Sequence, residues 1–407
     1  MNSPLTPAPA PVPLPRRRFL AATAAAAGAC TVLNPATVFG ADANTRIELG
    51  LIGCGGRGSW IADLFAQTGK YRLAACADYF PDRTAAVGQK HSIEAARQYT
   101  GLSGYKRLLE SRVDAVVIET PPYFHPAQCA DAVEAGKHVF VAKPVAVDAP
   151  GCLSIGESGR RATAKRLVFL VDFQTRANPL FREALARIRQ GDLGKLVMVE
   201  AHYPWSAGGR DLPPASREEQ LRRWYHVKAL SGDFIVEQAI HALDVATWVI
   251  DADPVRALGL GGQRLRPPGS IWDHFAVTYD FANGVPLSFT CIQTIPEMRD
   301  EITCRAYGSE GYFFGDYFGQ VWIRGNEPFP GGPVGNLYTD GTVANILEFH
   351  RAMTEGRYEN PTVAPSVRSN LTAVLGREAS YRSGELTLKD LLQAGHRLEF
   401  DTTGLRA

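Results

Sequence analysis

The apolar positions of this chain change their period along its length. Residues 47–52, 72–77, 115–119 and 138–142 are short apolar runs with the length and flanks of buried strands. Between them, 59–68, 81–90, 105–111 and 126–135 carry apolar residues at helical spacing, the last stopped by Gly136. A short helix and a weak strand are predicted over 94–105. Strands that alternate with helices predict a parallel, doubly wound sheet. Past residue 165 the pattern shifts. Strands are predicted at 166–173 and 195–203 on either side of a helix at 179–189, and a single helix over 234–250. Long strands follow at 255–260, 274–281, 285–293, 302–307, 311–314 and 321–324, with Asn283-Gly284 suited to the positive φ of a hairpin turn. They predict an α+β domain with a large, mainly antiparallel, open sheet covered by helices on one face. Residues 326–341 read as a loop, and 343–355, 367–383 and 387–392 as helices that pack back on the first domain. The expected domains are therefore 45–165, 166–340 and a helical C-terminus, 341–407.

Residues 1–40 stand outside this pattern. Arg16-Arg17-Arg18-Phe19-Leu20 precedes the apolar run 21–33, which is too short for a stable transmembrane helix. Two arginines, one further residue and Phe-Leu resemble a twin-arginine export signal, with cleavage expected after Gly40 and a periplasmic or otherwise exported location. Lipoprotein anchoring at Cys30 is the second reading, a basic tail the third. The resemblance implies export of the folded protein with its cofactor already inside.

Composition narrows the partners. The chain is 45% hydrophobic and 21% charged, with a net charge of +1. That is an ordinary soluble composition with no nucleic-acid footprint. The seven cysteines show neither C-x-x-C nor zinc spacing, so they read as small buried hydrophobes and no metal is expected.

The chemistry begins at residues 47–58. A strand runs into Gly53-Cys54-Gly55-Gly56-Arg57-Gly58 and then a helix. Gly53, Gly55 and Gly58 fit G-x-G-x-x-G, in which the glycines serve the tight turn, the approach of a pyrophosphate and helix–strand packing. Arg57 is either a clamp on that pyrophosphate or an exposed arginine. Asp78 ends the second strand, where a carboxylate accepts ribose hydroxyls and repels a 2′-phosphate, favouring NAD over NADP. Two further strand ends face the same edge: Glu119-Thr120-Pro121-Pro122-Tyr123-Phe124-His125 and Ala142-Lys143-Pro144. An ammonium at Lys143 would stabilise a developing alkoxide, or else snorkel to water. His125 would face the nicotinamide or simply open a helix. In the predicted helix over 234–250, Glu237, His241 and Asp244 fall on one face at i, i+4 and i+7. A His held by carboxylates is a general base, and a solvated polar face is the alternative.

These motifs together resemble the Gfo/Idh/MocA oxidoreductases, the relatives of glucose–fructose oxidoreductase and inositol dehydrogenase, over essentially all of 47–392. The resemblance implies a Rossmann domain plus an α/β domain whose open sheet serves homo-oligomerisation. It implies NAD(P)-dependent hydride transfer on sugars, polyols or glycosides. Its Glu-Lys-Pro lysine and its Asp-x-x-x-His histidine fall on Lys143 and His241. Two departures stand out: Ala142 replaces the motif glutamate, and Glu237 replaces the aspartate. Glu119, on the adjacent strand end, is expected to supply the missing carboxylate to Lys143. In this reading His241, oriented by Glu237, takes the hydroxyl proton. Tyr203, Trp205, Trp224, Tyr225, His226 and Asp244 are the expected substrate contacts. An exported enzyme would hold its NAD tightly. The alternatives are a redox-assisted glycosidase that oxidises C3, eliminates, hydrates and re-reduces, and a non-catalytic dinucleotide-binding protein.

Overall fold

A computed structural model describes residues 46–207, 214–267, 269 and 271–407. The expected export signal and Cys30 lie outside the described residues. Six parallel strands form the first sheet: β1 (Ile47–Ile52), β2 (Tyr71–Asp78), β3 (Gln98–Thr100), β4 (Ala115–Ile118), β5 (His138–Ala142) and β6 (Phe169–Asp172). Their order is β3-β2-β1-β4-β5-β6. The chain winds outward from β1 in one direction and then, from β4, in the other. A crevice therefore opens at the carboxyl ends of β1 and β4, where such sheets bind ligands. The strands are buried on both faces, which is why they read as continuous apolar runs.

The second sheet has nine strands: β7 (Leu196–Trp205), β8 (Pro254–Gly262), β9 (His274–Phe281), β10 (Pro286–Gln293), β11 (Thr303–Gly308), β12 (Gly311–Asp316), β13 (Gln320–Gly325), β14 (Phe329–Pro333) and β15 (Glu385–Thr387). Only β7 and β10 pair in parallel; the other neighbours are antiparallel. On β9, Phe275, Val277, Tyr279 and Phe281 point inward while Ala276 and Thr278 point out. The inner face packs on the helices Ile240–Ile250 and Val363–Tyr381. Leu337–Glu355 instead joins the first domain, with Ile346 and Phe349 packed among Leu49, Phe65 and Phe140.

The structure departs from the expected elements at several places. The strand expected to open the second domain is β6, which pairs with β5 in the first sheet. A helix that the sequence pattern did not announce, Ala149–Ala164, precedes it; the Asp148 side chain caps it by accepting from Gly151 N. The loop expected over 326–341 contains β14 and the first turn of Leu337–Glu355. Most consequential for the site, the single helix expected over 234–250 is two, Phe234–Glu237 and Ile240–Ile250. Among the described residues no helix is long and apolar enough to cross a membrane. All six described cysteines are buried and unpaired.

Candidate active site

The glycine turn is built as its spacing requires. Gly53 has φ of +98°, and a Cβ there would lie 2.6 Å from the Glu119 carbonyl carbon. A Cβ at Gly58 would lie 1.8 Å from Gly53 O, so no side chain fits at either position. The helix Gly56–Gln67 starts inside this motif, with Gly55 as its N-cap, so its first N–H groups are left without intrahelical partners and are available to an anion. That crevice continues as a pocket lined by Gly53, Gly55, Asp78, Tyr79, Phe80, Arg83, Leu102, Thr120, Pro121, Leu221 and Trp224. Asp78 Oδ2 accepts from Cys54 N at 2.7 Å and Oδ1 from Phe80 N at 2.9 Å. Burial raises its pKa, and these two N–H groups oppose the rise. Each oxygen keeps acceptor capacity toward the pocket. A narrow glycine cradle beside a helix start, ending on a carboxylate, fits a dinucleotide, whose pyrophosphate would be held at Gly53, Gly55, Gly56 and Gly58 and whose ribose would be held at Asp78.

Next to it lies a second pocket, which shares Glu119, Thr120 and Trp224 with the first. Lys143, His125, Glu237, Gln238, His241, Gln174, Arg57 and Tyr338 also line it. Lys143 leaves the end of β5 and its Nζ donates to Glu237 O at 2.6 Å and Glu237 Oε1 at 3.3 Å. His241 lies in the first turn of Ile240–Ile250, edge-on to Phe173 and Tyr317. Burial first, then the positive charges of Lys143 and Arg57, hold its pKa well below the ordinary 6.5, so it is neutral at pH 7. Its Nδ1 is buried and has no partner among the described residues. Nε2 is thus the nitrogen left to meet a substrate.

Several expected contacts are replaced by others. Glu237 makes no hydrogen bond to His241; its carbonyl and carboxylate oxygens accept from Lys143 Nζ instead. Asp244 is buried and does not reach the pocket: it accepts from Arg176 Nη2 at 2.8 Å and from Ser369 Oγ at 2.6 Å. Glu119 does not pair with Lys143. Its Oε2 lies 3.1 Å from Arg57 Nε, and Arg57 Nη2 lies 2.6 Å from Asp172 Oδ2. Arg57 also donates to Tyr338 OH at 2.8 Å, so it is committed to this cluster rather than to a pyrophosphate. His125 is buried between two carbonyls, with Nδ1 2.9 Å from Pro144 O and Nε2 2.8 Å from Thr120 O. It lies between the loop after β4 and the Lys143 loop. Burial, with Lys143 adding to it, lowers its pKa to about 4 against the pull of those carbonyls, so the ring is neutral at pH 7, has one N–H to donate to one of the two carbonyls, and is a buried residue of the pocket floor rather than a nicotinamide contact.

Of the expected aromatic contacts, Trp224 lines both pockets. Tyr203 is buried and stacks on Trp205 in the second sheet. Tyr225 OH bonds Gln238 at 3.0 Å and Gln293 at 2.9 Å, supporting the pocket wall from behind. His226 contacts Arg266. Gln174, Gln238, Asp172 and Tyr338 were not anticipated, since none belongs to a motif; only the position of Asp172 and Gln174 just past a strand end hints at them. Among the described residues no His/Cys/Asp/Glu group has the arrangement of a metal site.

A Rossmann crevice that opens onto a Lys–His pocket defines a dinucleotide-dependent oxidoreductase. The family comparison agrees. The GFO/IDH/MocA oxidoreductase family model with an NAD-binding Rossmann fold matches residues 47–169, and the GFO/IDH/MocA C-terminal domain matches 181–314. Together they span well over half of the chain, which belongs to this family. An inositol 2-dehydrogenase of Burkholderia lata is 28% identical over 268 residues, 65% of this chain and 72% of its own. A glycosyl hydrolase family 109 protein of Shewanella pealeana is 28% identical over 187 residues, 45% of this chain and 40% of its own. Among solved structures, a levoglucosan dehydrogenase in complex with NADH and levoglucosan has a TM-score of 0.70 at 18% identity, covering 84% of this chain and 99% of that one. That likeness shows the fold.

Proposed function

We propose that the protein oxidises a hydroxyl of a sugar, polyol or glycoside with a tightly held NAD. The observation that carries this reading is the shared pocket: Lys143 and His241 line one cavity that meets the glycine crevice at Glu119, Thr120 and Trp224. When bound, the nicotinamide supplies the hydride acceptor. Lys143 holds the substrate oxygen and stabilises its developing negative charge. His241 accepts the hydroxyl proton at Nε2, with its own proton on Nδ1. Glu237 fixes where Lys143 Nζ stands. Names such as inositol 2-dehydrogenase among the relatives support a polyhydroxylated substrate. With Glu237 serving Lys143, Ala142 gives no support to a non-catalytic role.

Asp78 supports NAD over NADP. Tight retention is supported by the export-like N-terminus and by the C-terminal tail. Phe400 packs with Tyr79, Phe80 and Leu221, and Leu102 N donates to Arg406 O at 3.0 Å, so the tail braces residues that line the dinucleotide pocket. The open face of the second sheet exposes Val197 (57%), Leu258 (57%) and Leu260 (61%), which supports self-association through that sheet. Light scattering reads the resulting mass.

The family 109 relative favours one second reading, a glycosidase that returns its hydride within each cycle. Aryl glycosides supplied without NAD separate the two. Net reduction of the bound cofactor supports the dehydrogenase, whereas release of the aglycone at catalytic turnover supports the glycosidase. Neither signal with any sugar or glycoside would sink both.

A further inference from the structure

Glu119, which lines both pockets, is a charged group whose hydrogen bonding is unfinished. Its side chain is 1% exposed, and both carboxylate oxygens are buried without a hydrogen bond. The neighbouring Asp172 is fully served: Arg57 Nη2 at 2.6 Å, Gln174 Nε2 at 2.9 Å and Asn345 Nδ2 at 2.8 Å. Glu119 has only the off-axis approach of Arg57 Nε at 3.1 Å. Two carboxylates thus share one guanidinium, and with both ionised the cluster carries a surplus negative charge. Burial, opposed by Arg57 and reinforced by Asp172, raises the Glu119 pKa to about 7. The charge of Lys143 also opposes the rise. Lys143, from the end of β5, pairs with Glu237; Tyr338 and Tyr317 reach Arg57 and Gln174. Burial, with Lys143 and Arg57, holds the His241 pKa well below its ordinary value.

The inference rests on the dinucleotide reading proposed above. A ligand that spans from Asp78 to Lys143 must pass Glu119, because that residue lines both pockets. The end of NAD that reaches Lys143 and His241 is the nicotinamide, whose ring is cationic when oxidised and neutral when reduced. A cation beside a buried carboxylate favours its ionised form, and by linkage the ionised carboxylate binds the cation more tightly. We infer that Glu119 is the residue by which this protein discriminates oxidised from reduced cofactor, gripping the oxidised form when ionised and releasing that preference when protonated.

The test is a competition that works whether or not the protein is purified with cofactor bound. Purified protein is equilibrated with equal NAD and NADH at pH 6, 7 and 8, separated by gel filtration, and the bound oxidised-to-reduced ratio is quantified. One linked proton changes such a ratio by at most about tenfold per pH unit. The wild-type ratio is expected to rise at least about fivefold from pH 6 to pH 8. E119Q, the isostere of the neutral form, should give a flat ratio shifted toward NADH. D172N frees Arg57 for Glu119 and should move the wild-type transition to lower pH, which keeps the inference testable if E119Q does not fold. A flat wild-type ratio, or an unchanged slope in E119Q, overturns the inference while leaving the dehydrogenase reading intact. If neither form is retained at any pH, the dinucleotide reading itself fails, and this one with it.

Discussion

Lys143 Nζ sits 2.6 Å from the carbonyl oxygen of Glu237 and 3.3 Å from its carboxylate. The residue expected to serve the histidine therefore serves the lysine. The cause is local. Phe234–Glu237 ends at Glu237, and carbonyls at a helix end lack intrahelical donors. That carbonyl and the carboxylate beyond it both turn to the ammonium. The carboxylate beside Lys143 comes from the second domain rather than from position 142 or the neighbouring strand.

Removing Lys143 should therefore remove charge stabilisation at the reacting oxygen and leave the cofactor pocket whole. K143A should lower kcat by about 10²–10³, the range for losing a preorganised electrostatic donor. Bound dinucleotide, measured after gel filtration, should be unchanged. E237Q keeps the backbone carbonyl contact and should cost less than about tenfold, a loss short of that for removing a buried pair's partner outright.

The histidine gives a pH signature. Because burial, Lys143 and Arg57 all hold His241 below its ordinary 6.5, it stays unprotonated down to lower pH than a free imidazole. With cofactor saturating, the acid limb of kcat should lie below pH 6.5, and H241N should lose about 10²–10⁴ in kcat. A limb centred above 6.5 that vanishes in H241N would contradict this placement of the ring.

Glu119 also makes stability depend on pH. Its folded-state pKa of about 7 lies above the ordinary 4.5, so between those values the folded protein holds a proton that the unfolded chain releases. Stability should fall as pH rises through that window, and E119Q should lack this component. Urea unfolding at several pH values between 4.5 and 7.5 reads it directly. R57A leaves two buried carboxylates without their shared cation and should cost about 3–5 kcal/mol.

The tail yields a separate prediction. Deleting residues 399–407 removes Phe400 from its cluster with Tyr79, Phe80 and Leu221, and removes the carbonyl that accepts from Leu102 N. The shortened protein should fold, since both sheets are complete without this segment, but should lose dinucleotide on gel filtration that the full chain retains. Equal retention would remove the tail from the account.

Much of the fold was legible because its signals are local. Continuous apolar runs marked the buried parallel strands, and strict alternation on β9 marked the half-covered sheet. Gly53 and Gly58 were legible because nothing larger fits. β6 was misassigned because a short buried strand carries no sign of which sheet it will join. The single helix over 234–250 looked continuous because apolar spacing runs on past the break, which leaves no mark in the sequence pattern. Lys143 and His241 could be picked out, but not their partners. Arg57, Glu119 and Asp172 meet only when β1, β4 and β6 end on the same edge of one sheet, and spacing along the chain does not encode that meeting.

The most direct measurement of the central claim is the near-ultraviolet absorbance of the purified protein, with no cofactor added, before and after a panel of sugars, polyols and glycosides. The account predicts that at least one of them raises the reduced-nicotinamide band in the wild type, and that K143A, carrying the same amount of cofactor, shows no such rise within the same time. A band that rises equally in K143A, or a protein that carries and binds no dinucleotide, would contradict it.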